Sequence, residues 1–285
     1  MMTSLLEVIT KSAAFLERKG VEHPRLNAEL LAGHALGLPR MQLYLQFERL
    51  LPERELELIR PLIKRRSQRE PLQHIIGSVE FAGVTLKTDP RALIPRPETE
   101  YLVELICSEY ATQAPGRFVD LGTGSGALAL ALAQAWPEAK CWATDISEDA
   151  LALTTENRDT LGLQDRVEVL KSDWFAVLPA DTKFELIVAN PPYLTAAEVA
   201  ETQPEVKDHE PAVALSTAED GMDALATIIA EAQDWLTPGG LLAMETGIAQ
   251  HAELVERLNV AGYADVQSRQ DLTERDRFVF ARRAN

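Results

Sequence analysis

From Arg117 to the C-terminus, short apolar runs alternate with helical patterns, and this alternation limits the possible folds more than any other feature of the chain. Phe118-Val119-Asp120-Leu121 reads as a buried strand and Ala127–Trp136 as the helix after it. Lys140–Asp145, Arg166–Leu170, Phe184–Ala189, Gly240–Glu245, Asp265–Ser268 and Arg277–Arg282 read as further strands. Helical patterns run to Leu161, over Ala224–Trp235 and over His251–Asn259. Such alternation predicts an open, mostly parallel α/β sheet. Ligands in sheets of this kind bind beyond the carboxyl ends of the strands, where the strand order reverses.

The first quarter of the chain follows a different period. Leu5, Val8, Ile9, Ala13 and Leu16 share one helical face, and Gly20 closes that segment. Pro24 suits the first turn of a second helix through Leu26, Leu30, Leu31 and Ala35 to Gly37. Pro52 opens a third with Leu56, Ile59 and Ile63 in register, and Pro61 inside it is expected to kink or divide the helix. Near Ile75 the pattern turns to alternation, and Ser78–Leu86 reads as two short strands joined near Gly83. The expected organisation is a helical docking domain over 1–74, a β-hairpin linker over 75–95 and an α/β domain over 96–285. At 285 residues the chain has room for about two domains of roughly 100–200 residues each.

Several function classes are disfavoured. The longest nearly apolar run, Ala127–Trp136, falls far short of the ~20 residues of a membrane span. Glu7 and Lys11 interrupt the apolar pattern near the N-terminus, which reads as an amphipathic helix and not a secretory signal, so a soluble cytoplasmic protein is expected. Cys107 and Cys141 lack metal-ligand spacing and read as two buried thiols; the five histidines are scattered, and no metal site is expected. A net charge of −16 argues against a wide grip on nucleic acid, since Lys and Arg neutralising phosphates supply most of that affinity. One basic run, Lys64-Arg65-Arg66 with Arg69, reads as a solvated helix face or, less simply, a docking patch.

The first strand of the α/β region ends in Asp120-Leu121-Gly122-Thr123-Gly124-Ser125-Gly126 and runs straight into a helix. Glycines there allow a tight turn and close approach of a ligand to the backbone. Ala127 also satisfies the looser dinucleotide fingerprint, so the loop alone leaves a nicotinamide dinucleotide open. Asp145 ends the next strand, nineteen residues past Gly126, where a carboxylate can accept from both ribose hydroxyls. Asp173 can take an adenine amino hydrogen and Trp174 can pack on the adenine face, although Trp174 also reads as a core aromatic. Together these residues describe a nucleoside pocket.

The fourth strand runs into Asn190-Pro191-Pro192-Tyr193. Two prolines remove two backbone donors and leave carbonyls as free acceptors, with the Asn190 side-chain oxygen beside them. Such acceptors hold both hydrogens of a planar –NH2 group, and Tyr193 offers a flat face to stack on it. An amide or nucleobase nitrogen is a weak nucleophile because its lone pair is delocalised. Accepting both N–H bonds pushes charge onto it, and alignment with a methyl–sulfonium bond supplies proximity.

Asp120–Gly126, Asp145, Asn190–Tyr193 and Ile94-Pro95-Arg96-Pro97-Glu98-Thr99-Glu100 together resemble the HemK/PrmC family of protein-(glutamine-N5) methyltransferases. The resemblance extends to Pro24–Leu31, to Arg65-Arg66 with Glu70–Gly77, to Glu210–Leu215, to Asp220-Gly221 and to Asp276-Arg277. It implies a class I methyltransferase sheet with an antiparallel last strand. It further implies S-adenosylmethionine on Gly122, Thr123, Gly124, Ser125, Gly126, Asp145, Trp174 and Asn190, beside the Asp173 read from its strand end. The substrate it implies is the glutamine of the Gly-Gly-Gln loop of peptide chain release factors, seated on Asn190, Pro191, Pro192 and Tyr193. The family often has an acid where Asn27 stands and a glycine near Glu274. The rival reading is an N-methyltransferase acting on adenine or guanine, whose exocyclic amines are also planar.

Overall fold

A computed structural model describes residues 3–216 and 221–285, and Asp220 lies outside them. The chain divides into two units, Met1–Gly77 with Gln203–His209, and Ser78–Thr202 with Glu210–Asn285. Among the described residues no helix is long and apolar enough to cross a membrane.

The first unit is built from helices Leu5–Arg18, Pro24–Leu36, Arg40–Leu45, Glu53–Ser67 and Leu72–Ile76, with the short turn Pro204–Lys207. Two-residue strands β1 (Thr3–Ser4) and β2 (Leu50–Leu51) pair antiparallel, and Ser4 caps the first helix by accepting from the Glu7 N–H. Leu5, Ile9 and Leu16 meet Ala28, Leu31, Leu43, Leu56, Ile59 and Ile63 in one core. Pro61 does not divide its helix, which runs unbroken over Glu53–Ser67. It is exposed, and so is Glu57, whose carbonyl loses a helical donor. Solvent can satisfy that carbonyl, while the buried stripe Leu56, Ile59 and Ile63 holds the helix together.

The three arginines of the basic run are paired, while Lys64 is exposed. Arg65 donates two hydrogen bonds to Glu70. Arg66, only 6% exposed, donates through Nε to Asn27 Oδ1 at 2.7 Å, and its Nη2 lies 2.8 Å from Glu205. Arg69 donates to both oxygens of Glu205 and to the Gly20 carbonyl. Arg66 thus ties the second helix, the fourth helix and the returning segment 203–209 together.

The second unit opens with the hairpin β3 (Ser78–Phe81) and β4 (Val84–Lys87), whose Phe81, Val84 and Leu86 enter its core. The sheet strands are β5 (Arg117–Leu121), β6 (Lys140–Asp145), β7 (Val167–Lys171), β8 (Phe184–Ala189), β9 (Leu236–Glu245), β10 (Ala264–Gln270) and β11 (Asp276–Arg282). Their order is β10-β11-β9-β8-β5-β6-β7. β5 to β9 are parallel and β11 is antiparallel to both its neighbours, as the resemblance implied. Alternate side chains face two cores: Phe118, Leu186, Val188 and Ala243 on one side, Val119, Ile187, Leu242 and Met244 on the other. Helices Pro97–Glu109 and Ala127–Ala135 cover the first face, Asp223–Trp235 and His251–Val260 the second. Cys141 is buried, whereas Cys107 is only half-buried, which corrects the reading of two buried thiols.

Removing Arg66 leaves Asn27 Oδ1 without its donor and takes one of two guanidinium groups from Glu205, which Arg69 still holds through both oxygens. Arg66→Ala is therefore expected to lower unfolding stability by about 3 kcal/mol, the low end for breaking a buried ion pair. Denaturant unfolding checks this, and a change under about 0.5 kcal/mol, the level of an ordinary surface substitution, would contradict it.

Candidate functional site

The chain leaves β5, makes β6 and β7 on one side, then crosses back to lay β8 on the other side of β5. The carboxyl ends of β5, β6 and β8 therefore surround the point where strand order reverses. A cavity of about 280 Å³ opens there.

The glycine loop forms its floor. Gly122, Gly124 and Gly126 have φ of 70°, 59° and 86°, a region that costs residues with a Cβ. A Cβ on Gly126 would also come within 2.8 Å of Leu130 Cδ1 and 3.0 Å of Thr154 Cγ2. The loop is held on every side: Thr123 N–H donates to the Thr144 carbonyl, Thr154 Oγ1 to the Gly124 carbonyl, and Asn157 Nδ2 to the Ser125 carbonyl. Asp145 accepts from the Gly124 N–H at 2.9 Å and from the Ser147 N–H at 2.9 Å, so each oxygen is oriented and keeps a lone pair. Burial pushes the Asp145 carboxyl up against those backbone donors. Asp120, Asp145 and Asp173 all line the cavity. Its two lining arginines are committed elsewhere, Arg91 to Asp89 and Glu156, Arg96 to the buried Glu210. An acid-lined cavity with its cations already paired suits a positively charged guest better than a pyrophosphate.

β8 delivers Asn190 to the same rim. Its Nδ2 donates to Thr99 Oγ1 at 3.1 Å, and its Oδ1 has no partner among the described residues. Thr99 Oγ1 in turn donates to Glu245 Oε2 at 2.6 Å, and Tyr193 donates to Glu245 Oε1 at 3.2 Å. Arg277 Nη1 donates to the Tyr193 hydroxyl oxygen at 3.4 Å. Gln250 Nε2 donates to the carbonyls of Tyr193 and Gly221, and Gly221 sits so close that a Cβ would lie 2.3 Å from the Tyr193 oxygen. Burial pushes the Tyr193 hydroxyl up, with Glu245 adding to the effect.

Gly122, Thr123, Gly124, Ser125, Asp145, Asp173, Trp174, Asn190 and Pro192 are thus brought to one cavity. Gly126, Pro191 and Tyr193 stand outside its lining; Pro191 is buried, and the Tyr193 ring packs against the second core face. Trp174 lines the cavity and also packs on that core. Sequence reasoning did not single out Thr99, Asp120 or Glu245 individually. Glu245 had a signal: a carboxylate closing the apolar run Leu241–Met244.

Comparison with known proteins gives a consistent picture. Residues 7–77 match a family described as PrmC N-terminal domain, and residues 98–206 match one described as methyltransferase small domain. A release factor glutamine methyltransferase from Deinococcus radiodurans is 43% identical over 98% of this chain and 99% of its own. One from Geobacter sulfurreducens is 38% identical over 98% and 96%. Among solved structures, a methyltransferase from Pyrococcus furiosus shares the fold with a TM-score of 0.54, 18% identity, and coverage of 71% of this chain and 90% of that one.

Asp120 gives the cavity a measurable signature. It is 1% exposed; Oδ2 accepts from Thr123 Oγ1 and the Ala129 N–H, while Oδ1 has no hydrogen-bond partner among the described residues. Burial pushes its carboxyl from the ordinary 3.8 up to about 7, with Asp145 adding to the rise and the two donors opposing it. The folded protein therefore holds a proton that the unfolded chain releases near pH 4, and stability falls as pH rises toward 7. Between pH 5 and 8 the protein is expected to lose roughly 2–3 kcal/mol through this group. Asp120→Asn, whose amide can keep both donors, should remove that slope; parallel stability–pH curves for the two proteins would refute the assignment.

Proposed function

Since the chain belongs to the family of release factor glutamine methyltransferases, we infer that it transfers a methyl group from S-adenosylmethionine to the side-chain amide nitrogen of the glutamine in the Gly-Gly-Gln motif of a peptide chain release factor. The reaction modifies a translation factor, and this reading puts the enzyme with its substrate in the cytoplasm.

The residues present fit the cofactor. Asp145 would receive the ribose hydroxyls, Trp174 and Asp173 the adenine, and the backbone of Gly122–Ser125 the remainder. Support comes from the acid lining, since S-adenosylmethionine carries a sulfonium and an ammonium where a dinucleotide carries phosphates. When bound, the cofactor supplies an electrophilic methyl on sulfur. Everything else is work for the protein.

The observation that carries the reading is the Asn190 amide, whose nitrogen is spent on Thr99 and whose oxygen is left free at the cavity. Oδ1 accepts one N–H of the substrate amide, and a carbonyl of the Asn190–Pro192 segment accepts the other. With both hydrogens held, the amide plane is fixed and electron density moves toward nitrogen before attack. The spent proton leaves afterwards, when the methylated nitrogen has become acidic, so a strong base is unnecessary. Geometry does not separate a glutamine amide from an exocyclic base amine, both being planar; family membership does.

The test is mass spectrometry of a purified release factor incubated with this enzyme and methyl-labelled S-adenosylmethionine. One methyl on the Gly-Gly-Gln glutamine is expected. Asn190→Ala should slow its appearance by about 10²–10³-fold, the range for losing one preorganised polar contact, with far less effect on cofactor binding. Near-normal turnover in that variant would sink the amide-holding role, and an unlabelled release factor would sink the substrate.

A further inference from the structure

Resting on the reading above, we propose that Glu245 and Thr99 are positioning residues which set the polarity of the reacting loop: Glu245 makes Thr99 an acceptor toward Asn190, and this turns the Asn190 oxygen toward the substrate. An asparagine side chain has two nearly isosteric ends, and its surroundings alone decide which end faces a ligand. At Asn190 the wrong choice would present an –NH2 to the substrate's –NH2.

A hydroxyl has one proton to give. Thr99 Oγ1 spends it on Glu245 Oε2 at 2.6 Å, so toward Asn190, 3.1 Å away, it can only accept. Asn190 must then turn Nδ2 toward Thr99 and leave Oδ1 at the cavity. The second oxygen of Glu245 accepts from the Tyr193 hydroxyl at 3.2 Å, which steadies the far end of the same loop. Glu245 is 2% exposed and Thr99 4%, so solvent does not compete for either. Both neighbours of Glu245 donate to it, and only a carboxylate accepts from both. A glutamine, of the same shape, offers one acceptor and one donor and must reverse one of the two arms.

Glu245→Gln separates this role from a merely structural one, because it preserves volume and removes a buried charge. Its kcat on the release factor, with both substrates saturating, is expected to fall about tenfold or more, less than for losing a direct contact. Cofactor affinity should stay within about twofold and the unfolding midpoint should not drop. Thr99→Val should lower kcat similarly, and Thr99→Ser should restore it. Adding Thr99→Val to Asn190→Ala should cost nothing further, since the residue that Thr99 orients is already gone. Wild-type kcat in Glu245→Gln and Thr99→Val, or no rescue by Thr99→Ser, overturns the proposal while leaving the function standing. A wild-type enzyme that labels no Gly-Gly-Gln glutamine overturns both.

Discussion

β5 is hydrogen-bonded in parallel to β6 on one side and to β8 on the other, and the site depends on that pairing. Parallel neighbours run the same way, so Leu121, Asp145 and Ala189 all finish at one edge of the sheet. The three strands therefore deliver their chemistry to one place: the glycine loop, a carboxylate, and Asn190. Both faces of the sheet are covered by apolar side chains, which leaves the strand ends as the place where polar groups can gather. The helix Ala127–Ala135 begins where the glycine loop ends, and Gly126 lets Leu130 and Thr154 close over that junction.

The same edge concentrates carboxyl groups in poorly solvated places. Asp120, Glu210 and Glu245 are all buried, and burial pushes each of them upward. Each is answered differently. Glu210 has the Arg96 guanidinium, Glu245 has two hydroxyl donors with Arg277 nearby, and Asp120 has a hydroxyl and a backbone N–H on one oxygen only. Such arrangements cost stability and persist where preorganised polarity is useful.

What was legible in the sequence was local. The glycine loop, Asp145 and Asn190–Tyr193 each sit at the end of a run whose period announces a strand, so both their identity and their position could be read. The mostly parallel sheet with β11 reversed followed from that alternation and from the family resemblance. The Thr99–Glu245 bond joins residues 146 apart, and Asn190–Thr99 joins residues 91 apart, so no window of sequence holds either pair. The short helices Arg40–Leu45, Leu72–Ile76 and Ala196–Glu201 are too brief to display a helical period. The arginines of the basic run misled, unlike the exposed Lys64, because composition registers charges without their partners. One departure from the family pattern has a local cost: Glu274 holds φ at 61°, where glycine would be unstrained.

The carboxylate that holds Arg66 and Arg69 comes from Glu205, far along the chain, within a segment of seven residues that returns to the N-terminal unit. The unit is therefore not a contiguous stretch of gene. A recombination that moved codons 1–77 onto a different methyltransferase sheet would carry two arginines away from their counter-charge. Heredity has to treat the N-terminal helices and the loop after β8 as one piece, even though more than a hundred residues of unrelated fold are encoded between them.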